Sequence, residues 1–274
     1  MLSKKQIESF KTRGFLKFNY PNIDLLKNLK NEFVQQIEVS LKQKLPKFYK
    51  EISVMKNSTD KILNDGMLKL EKINHENLVE IYNSLPRSIS FYQVISNEHL
   101  VSIINKLLDN PKQRNLYINS NSVRMDRPGL NKFMYGWHQD YKSNIEGSKF
   151  LQLWMPIIGD IDKKIGGLHV MEGSFKYDIR TTHTKIENKR KKINAPIRAS
   201  YKTKILDLPQ KFKETHLTCK FGEGIIFNSM LMHKSGLNKS RNKMRYAMTC
   251  FYHDILNPSW SFKVLDHKKM KLKY

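Results

Sequence analysis

The spacing of apolar residues changes character once along this chain, and that change limits its fold more than any other feature. Up to about residue 110 the spacing is helical. Leu25, Leu29, Phe33, Ile37 and Leu41 recur every four residues after the cap-forming Asn22 and Asp24, and the run stops before Pro46. Leu78, Ile81, Tyr82 and Leu85 mark a second helix ending at Pro86. Leu100, Ile103, Ile104 and Leu107 mark a third that closes at Asn110-Pro111. From Asn115 the pattern becomes that of strands, over Leu116–Asp126, Phe150–Ile158, Gly167–Met171, Gly224–Asn228 and Tyr246–Tyr252. The last of these alternates, with Tyr246, Met248, Cys250 and Tyr252 on one face and Ala247, Thr249 and Phe251 on the other. Helices first and strands later predict an α+β chain whose helices buttress one side of an antiparallel barrel or sandwich.

Composition removes several function classes. The chain has 274 residues, 39% of them hydrophobic and 11% aromatic, enough to build a core and too many for a disordered polycation. No apolar run approaches the ~20 residues of a membrane span, so no span is expected. Met1–Gln6 carries no apolar h-region, so no secretory leader is expected either. Cys219 and Cys250 form no disulfide framework and no zinc spacing, which points to a reducing cytoplasm. The formal charge of +24 comes from 49 Lys and Arg against 25 Asp and Glu. Of those cations 39 are Lys, scattered through nearly every segment rather than gathered as Arg-rich clusters, so nucleic acid is not the expected partner. One stretch is biased, Lys185 to Lys204, where eight basic residues face Glu187 alone. It reads as an exposed loop between strands.

His138-Gln139-Asp140 is the first tripeptide with chemistry in it. On extended backbone, positions i and i+2 point the same way, so an imidazole and a carboxylate converge. His233 follows an apolar strand and precedes the turn-forming Lys234-Ser235-Gly236, which makes it the candidate third ligand. Two His and one carboxylate on one face leave coordination positions open, the donor set of non-haem Fe(II) oxygenases. The other seven histidines lack such surroundings and read as structural or solvated. Arg245, twelve residues after His233, opens the alternating strand; a guanidinium carried into a barrel needs an anion, and a planar fork suits a carboxylate.

At these residues the chain resembles the phytanoyl-CoA dioxygenase family of Fe(II)/2-oxoglutarate oxygenases. The likeness runs from Leu2–Leu16, similar to the family's opening helix and strand entry, through Trp137-His138-Gln139-Asp140 and Leu151–Pro156. It continues in Gly166–Ser174, Gly222–Asn228, His233–Ser240 and Arg245. The resemblance implies a double-stranded β-helix (a jelly-roll, cupin-like) with N-terminal flanking helices. It implies one domain over 1–274: a mostly helical buttress over 1–112, the jelly-roll core over 113–256, and a basic tail over 257–274. It implies that His138, Asp140 and His233 bind Fe(II) and that Arg245 holds the distal carboxylate of the co-substrate 2-oxoglutarate. Trp154 would form an aromatic wall beside that co-substrate, and Asn121 a polar contact to it. O2 is then the second co-substrate.

The implied activity is hydroxylation, or another C–H oxidation, of a small molecule with release of succinate and CO2. A carboxylate at Asp140, where related halogenases carry a small residue, favours hydroxylation. The blocks around Gly167 and His233 fit this branch rather than the nucleic-acid demethylases of the superfamily. Two positions depart from the family turn: Glu172 stands for Pro and Phe175 for His, a difference expected to bear on substrate shape. The basic stretch Lys185–Lys204 suggests an anionic substrate. The alternative is a catalytically inactive jelly-roll that binds nucleic acid or an anionic surface through its basic face.

Overall fold

The computed structural model describes residues 2–109, 116–129, 136–143, 150–185 and 201–256. The predicted tail over 257–274 and most of the predicted basic loop, residues 186–200, lie outside them.

The N-terminal helices begin and end where local chemistry dictates. Ser3 caps α1 (Lys4–Arg13) in a reciprocal box with Gln6, and Gly14 ends the helix at φ 85° with its N–H on the Phe10 carbonyl. A Cβ at Gly14 would lie 2.5 Å from Phe175 Cδ1, so the turn needs glycine for both its sign of φ and its space. The chain turns there into β1 (Phe15–Asn19), a strand embedded in the helical part of the sequence. Asn22 caps α2 (Ile23–Lys44), whose stripe Leu26, Leu29, Phe33, Ile37 and Leu41 is fully buried. Leu26, not Leu25, starts the buried row; Leu25 packs at its margin.

Pro46 then opens α3 (Pro46–Ser53), tolerated where no N–H is needed. Two short helices follow, α4 (Ser58–Lys61) and α5 (Met67–Ile73), joined by a π-helical turn. The set closes with α6 (Glu76–Ser84), α7 (Ile89–Ile95) and α8 (Glu98–Leu107).

The remaining strands are β2 (Leu116–Asp126), β3 (Phe150–Pro156), β4 (Leu168–Met171), β5 (Thr181–Lys185), β6 (Tyr201–Ile205), β7 (Glu214–Leu217), β8 (Glu223–Asn228), β9 (His233–Ser235) and β10 (Arg245–Asp254). An antiparallel sheet in the order β1-β8-β3-β10-β2 faces a smaller one in the order β7-β4-β9, while β5 and β6 pair as a separate hairpin. This is a jelly-roll with helices on the outer face of its larger sheet. Lys185, Lys202 and Lys204 belong to β5 and β6, so strands extend into both ends of the predicted loop. His233-Lys234-Ser235 is likewise a short strand rather than a turn.

Alternation along β10 sorts two cores. Tyr246, Met248, Cys250 and Tyr252 join the helix layer, where the Tyr246 hydroxyl donates to the Leu63 carbonyl and the Tyr252 hydroxyl to Ile95 O at 2.6 Å. Tyr20 does the same from beyond β1, donating to Val94 O at 2.9 Å. Ala247 faces the other way and joins Trp154, Ile225 and Phe227 against Leu168, Val170 and Leu217 of the small sheet. The candidate site lies between the sheets, beside this second core.

Candidate metal centre

His138, Asp140 and His233 come together although 94 residues of sequence and several strands separate the two imidazoles. His138 and His233 exchange backbone bonds, N–H to carbonyl, at 2.9 and 3.0 Å, so the HxD segment is laid against the start of β9. Asp140 opens a short 3₁₀ turn, and Tyr141 N–H donates to Ser229 O at 3.2 Å to hold it. Gln139 points the opposite way. Its amide N–H groups donate to Tyr177 O at 2.8 Å and to Met230 O, while its carbonyl accepts from Ile179 N–H at 3.0 Å. The middle residue of HxD thus ties two backbone segments, 177–179 and the one at Met230, beside the two ligands, a role the sequence reading did not assign.

The donor atoms converge. Asp140 Oδ1 lies 3.6 Å from His138 Nε2 and Asp140 Oδ2 3.3 Å from His233 Nε2, and one ligand atom from each residue falls within 4.8 Å of the others. The tautomers follow from the second nitrogens. His138 Nδ1 sits 2.6 Å from Gly136 O and His233 Nδ1 2.9 Å from Leu231 O. A carbonyl oxygen only accepts, so each Nδ1 carries a proton and each ring turns its Nε2 toward the Asp140 carboxylate. The donor set therefore fits a divalent metal, and its two-His, one-carboxylate composition is the one associated with non-haem iron.

The family-like blocks of sequence each brace this site. Ser174, fully buried, accepts from Met232 N–H at 2.8 Å, and Met171 N–H donates to Met232 O at 2.9 Å, which fixes the residue before His233. Asn238 donates to Asp126 O at 3.0 Å and Lys243 O at 2.7 Å, closing the loop between β9 and β10. A Cβ on Gly167 would stand 1.9 Å from Leu217 O, so only glycine lets the strand start this close. Phe227 sets its ring 4.8 Å from that of His233, edge-on, as the apolar neighbour of the centre.

The other candidate residues fare differently. Trp154 lies on the inner face of β3 in the same core as Phe227. Asn121 is not brought to the triad. Its carbonyl accepts from Cys250 Sγ at 3.1 Å, and Cys250 belongs to the helix-side core with Val123 and Met125, so the expected co-substrate contact is corrected: alternation along β2 puts Asn121 on the face of Val123 and Met125. Arg245 is 3% exposed and does find an anion, but that anion is Asp126. Nε and Nη2 reach Asp126 Oδ2 at 3.1 and 2.8 Å, and Nη1 donates to Gly236 O at 2.6 Å and to Gly166 O. Arg124 reaches the other oxygen, Asp126 Oδ1, at 3.2 Å. Burial pushes the Asp126 carboxyl up, yet the two guanidinium groups together hold it below the usual range.

Glu172 and Phe175 have a structural use distinct from substrate shape. Arg13 grips Glu172 through Nε and Nη2 at 3.1 and 3.0 Å, Thr215 donates to it, and Phe175 packs over Gly14. The two departures dock α1 onto the turn.

A family model described as phytanoyl-CoA dioxygenase (PhyH) matches residues 55–247. This chain belongs to that family. No curated protein matches it in sequence. Among solved structures it is similar to the epimerase SnoN, described in complex with Fe3+, alpha-ketoglutarate and nogalamycin RO (TM-score 0.55, 12% identity, 95% of this chain and 88% of that one). EvdO2 from Micromonospora carbonacea var. aurantiaca, complexed with 2-oxoglutarate, is similar at TM-score 0.55 and 15% identity over 92% and 91%. EctD from S. alaskensis, in its apoform, gives TM-score 0.54 and 16% identity over 93% and 78%. At such identities the likeness speaks to the PhyH fold. Among the described residues no helix is long and apolar enough to cross a membrane.

Proposed function

We propose that this PhyH-family chain is an Fe(II)- and 2-oxoglutarate-dependent dioxygenase that hydroxylates a small molecule. The observation that carries the reading is the convergence of His138, Asp140 and His233, with one ligand atom from each within 4.8 Å of the others and both Nε2 atoms facing the carboxylate. His138, Asp140 and His233 would hold the iron. When bound, iron with 2-oxoglutarate supplies the oxidative chemistry: one oxygen atom of O2 enters a C–H bond as hydroxyl and the other leaves in succinate, with release of CO2. The chain orients and insulates. The carbonyls of Gly136 and Leu231 keep each Nδ1 protonated, and Phe227, Ile225 and Ala247 keep water from the inner side. Trp154 walls the co-substrate, whose distal carboxylate lies toward the guanidinium groups around Asp126, Arg245 included.

Hydroxylation is the outcome we assign, with Asp140 filling the ligand position. The basic stretch Lys185–Lys204 supports an anionic group on the substrate, and the two buried free thiols, Cys219 and Cys250, support a cytoplasmic setting. The test measures succinate released from 2-oxoglutarate, with candidate anionic and neutral molecules added in turn. Wild type with Fe(II) forms succinate, one anionic compound stimulates it and gains an oxygen atom, and His138→Ala loses both metal binding and turnover. Normal 2-oxoglutarate consumption by His138→Ala would sink the assignment.

A further inference from the structure

One amide interrupts the aromatic inner face of the large sheet. On β3, Phe150, Gln152 and Trp154 share that face, because Trp154 lies in the core between the sheets and every second residue follows it. Gln152 stands opposite Phe227 of β8 on one side and Phe251 of β10 on the other. It is 6% exposed, and its side-chain Oε1 is buried without a hydrogen-bond partner. Phe150, Phe227 and Phe251 have no side-chain donor to offer it. Burying an acceptor in this way costs free energy that a side chain of the same size without polar atoms would avoid. Gln139 shows the contrasting case of a structural amide, with both polar ends bonded to backbone.

Its position gives the unpaired acceptor a use. Phe227, directly across the ladder, holds its ring 4.8 Å from that of His233. Two residues before Gln152, the Phe150 carbonyl accepts from Ser229 N–H at 2.9 Å. The Ser229 carbonyl accepts in turn from the N–H of Tyr141, the residue after Asp140, at 3.2 Å. Gln152 is thus one side chain removed from His233 and tied through β3 and Ser229 to the Asp140 turn. An acceptor there calls for an O–H donor, and the rings beside it call for a body with apolar faces. A hydroxylated carbon ring meets both demands.

We propose that Gln152 is a specificity-determining residue whose Oε1 accepts a hydrogen bond from a substrate hydroxyl, the substrate being a small molecule with a hydroxylated carbon ring. Phe227 and Phe251 pack on the C–H faces of that ring. The inference rests on the functional reading above and narrows its substrate, leaving the metal and 2-oxoglutarate to other residues.

The experiment uses protein loaded with Mn(II) and 2-oxoglutarate without oxygen, and two probes. Cyclohexanol carries the donor; methoxycyclohexane keeps the ring and has none. Paramagnetic broadening of the probe protons reads binding near the metal. Wild type should bind cyclohexanol about 5-fold or more tightly than methoxycyclohexane, the worth of one neutral hydrogen bond. Gln152→Met, similar in volume, should bind both probes alike, with a melting temperature equal to or above wild type because the orphaned acceptor is gone. Wild type without a preference for the alcohol overturns the proposal, as does a Gln152→Met protein that keeps it. A Gln152→Met protein that melts well below wild type also overturns it, since the amide would then be holding the fold. So does one that loses affinity for 2-oxoglutarate, since the amide would then serve the co-substrate. Failure of wild type to bind Mn(II) and 2-oxoglutarate at all would instead sink the functional reading.

Discussion

At the scale of single residues, the site works by giving every polar atom near the centre one fixed task. The carbonyls of Gly136 and Leu231 each hold the Nδ1 proton of an imidazole, and Gln139 holds two backbone segments in place from the opposite face. His253 is the contrasting case. It is fully buried beside Phe150 and Tyr117, and burial pushes its imidazole down to about 4 from an ordinary 6.5. The folded ring stays neutral while the unfolded ring takes up a proton below pH 6.5, so acid favours unfolding through this group. Its contribution is complete above pH 6.5, declines as pH falls, and is gone near pH 4. At about 1.4 kcal/mol per tenfold step, that window corresponds to roughly 3 kcal/mol. Melting temperature should therefore drop between pH 7 and pH 4 more steeply in wild type than in His253→Gln. Parallel profiles would show that the ring is not the acid-sensitive group.

At the scale of elements, the link that sequence conceals is the docking of α1. The Arg13–Glu172 ion pair and the Phe175–Gly14 contact join the end of α1 to a turn about 160 residues later. Glu172→Ala should lower stability by about 1–2 kcal/mol, since the pair is charge-assisted but Arg13 is 39% exposed. Urea titration reads this, and the same substitution should cost less once Arg13 is already Ala, leaving the share owed to Thr215 and Lys213. Equal losses in both backgrounds would remove the pair as the cause. The helix boundaries and the two faces of β10 were legible because periodicity and caps are local facts. The triad was legible because ligand types stand at fixed spacing in two short segments. Asp126 was not, since nothing in Met125-Asp126-Arg127 says that a strand 119 residues later delivers Arg245 to it. Asn121 was placed by resemblance alone, whereas its parity with Val123 and Met125 puts it on the helix-side face.

At the scale of the whole molecule, the charge of +24 needs an account that the site does not provide. The cations are spread over nearly every segment, and the acids are too few to pair with them. The folded chain holds that surplus in a smaller volume than the unfolded one, so self-repulsion favours unfolding, and salt should relieve it. Screening shortens from about 30 Å at 10 mM to about 8 Å at 150 mM salt, which spans the distances between opposite faces of such a domain. Raising sodium chloride over that range should lift the melting temperature by several degrees, with most of the rise at the low end. Net destabilisation by salt would mean that the paired residues outweigh the surplus. Duplex DNA at low salt separates the remaining alternative, because a scattered surplus binds it weakly, whereas a basic docking face would stabilise the protein strongly and lose that effect by 150 mM. Weak binding with salt stabilisation is the expected result, and it would leave the surplus as a property of the surface and the chemistry with the His138–Asp140–His233 centre.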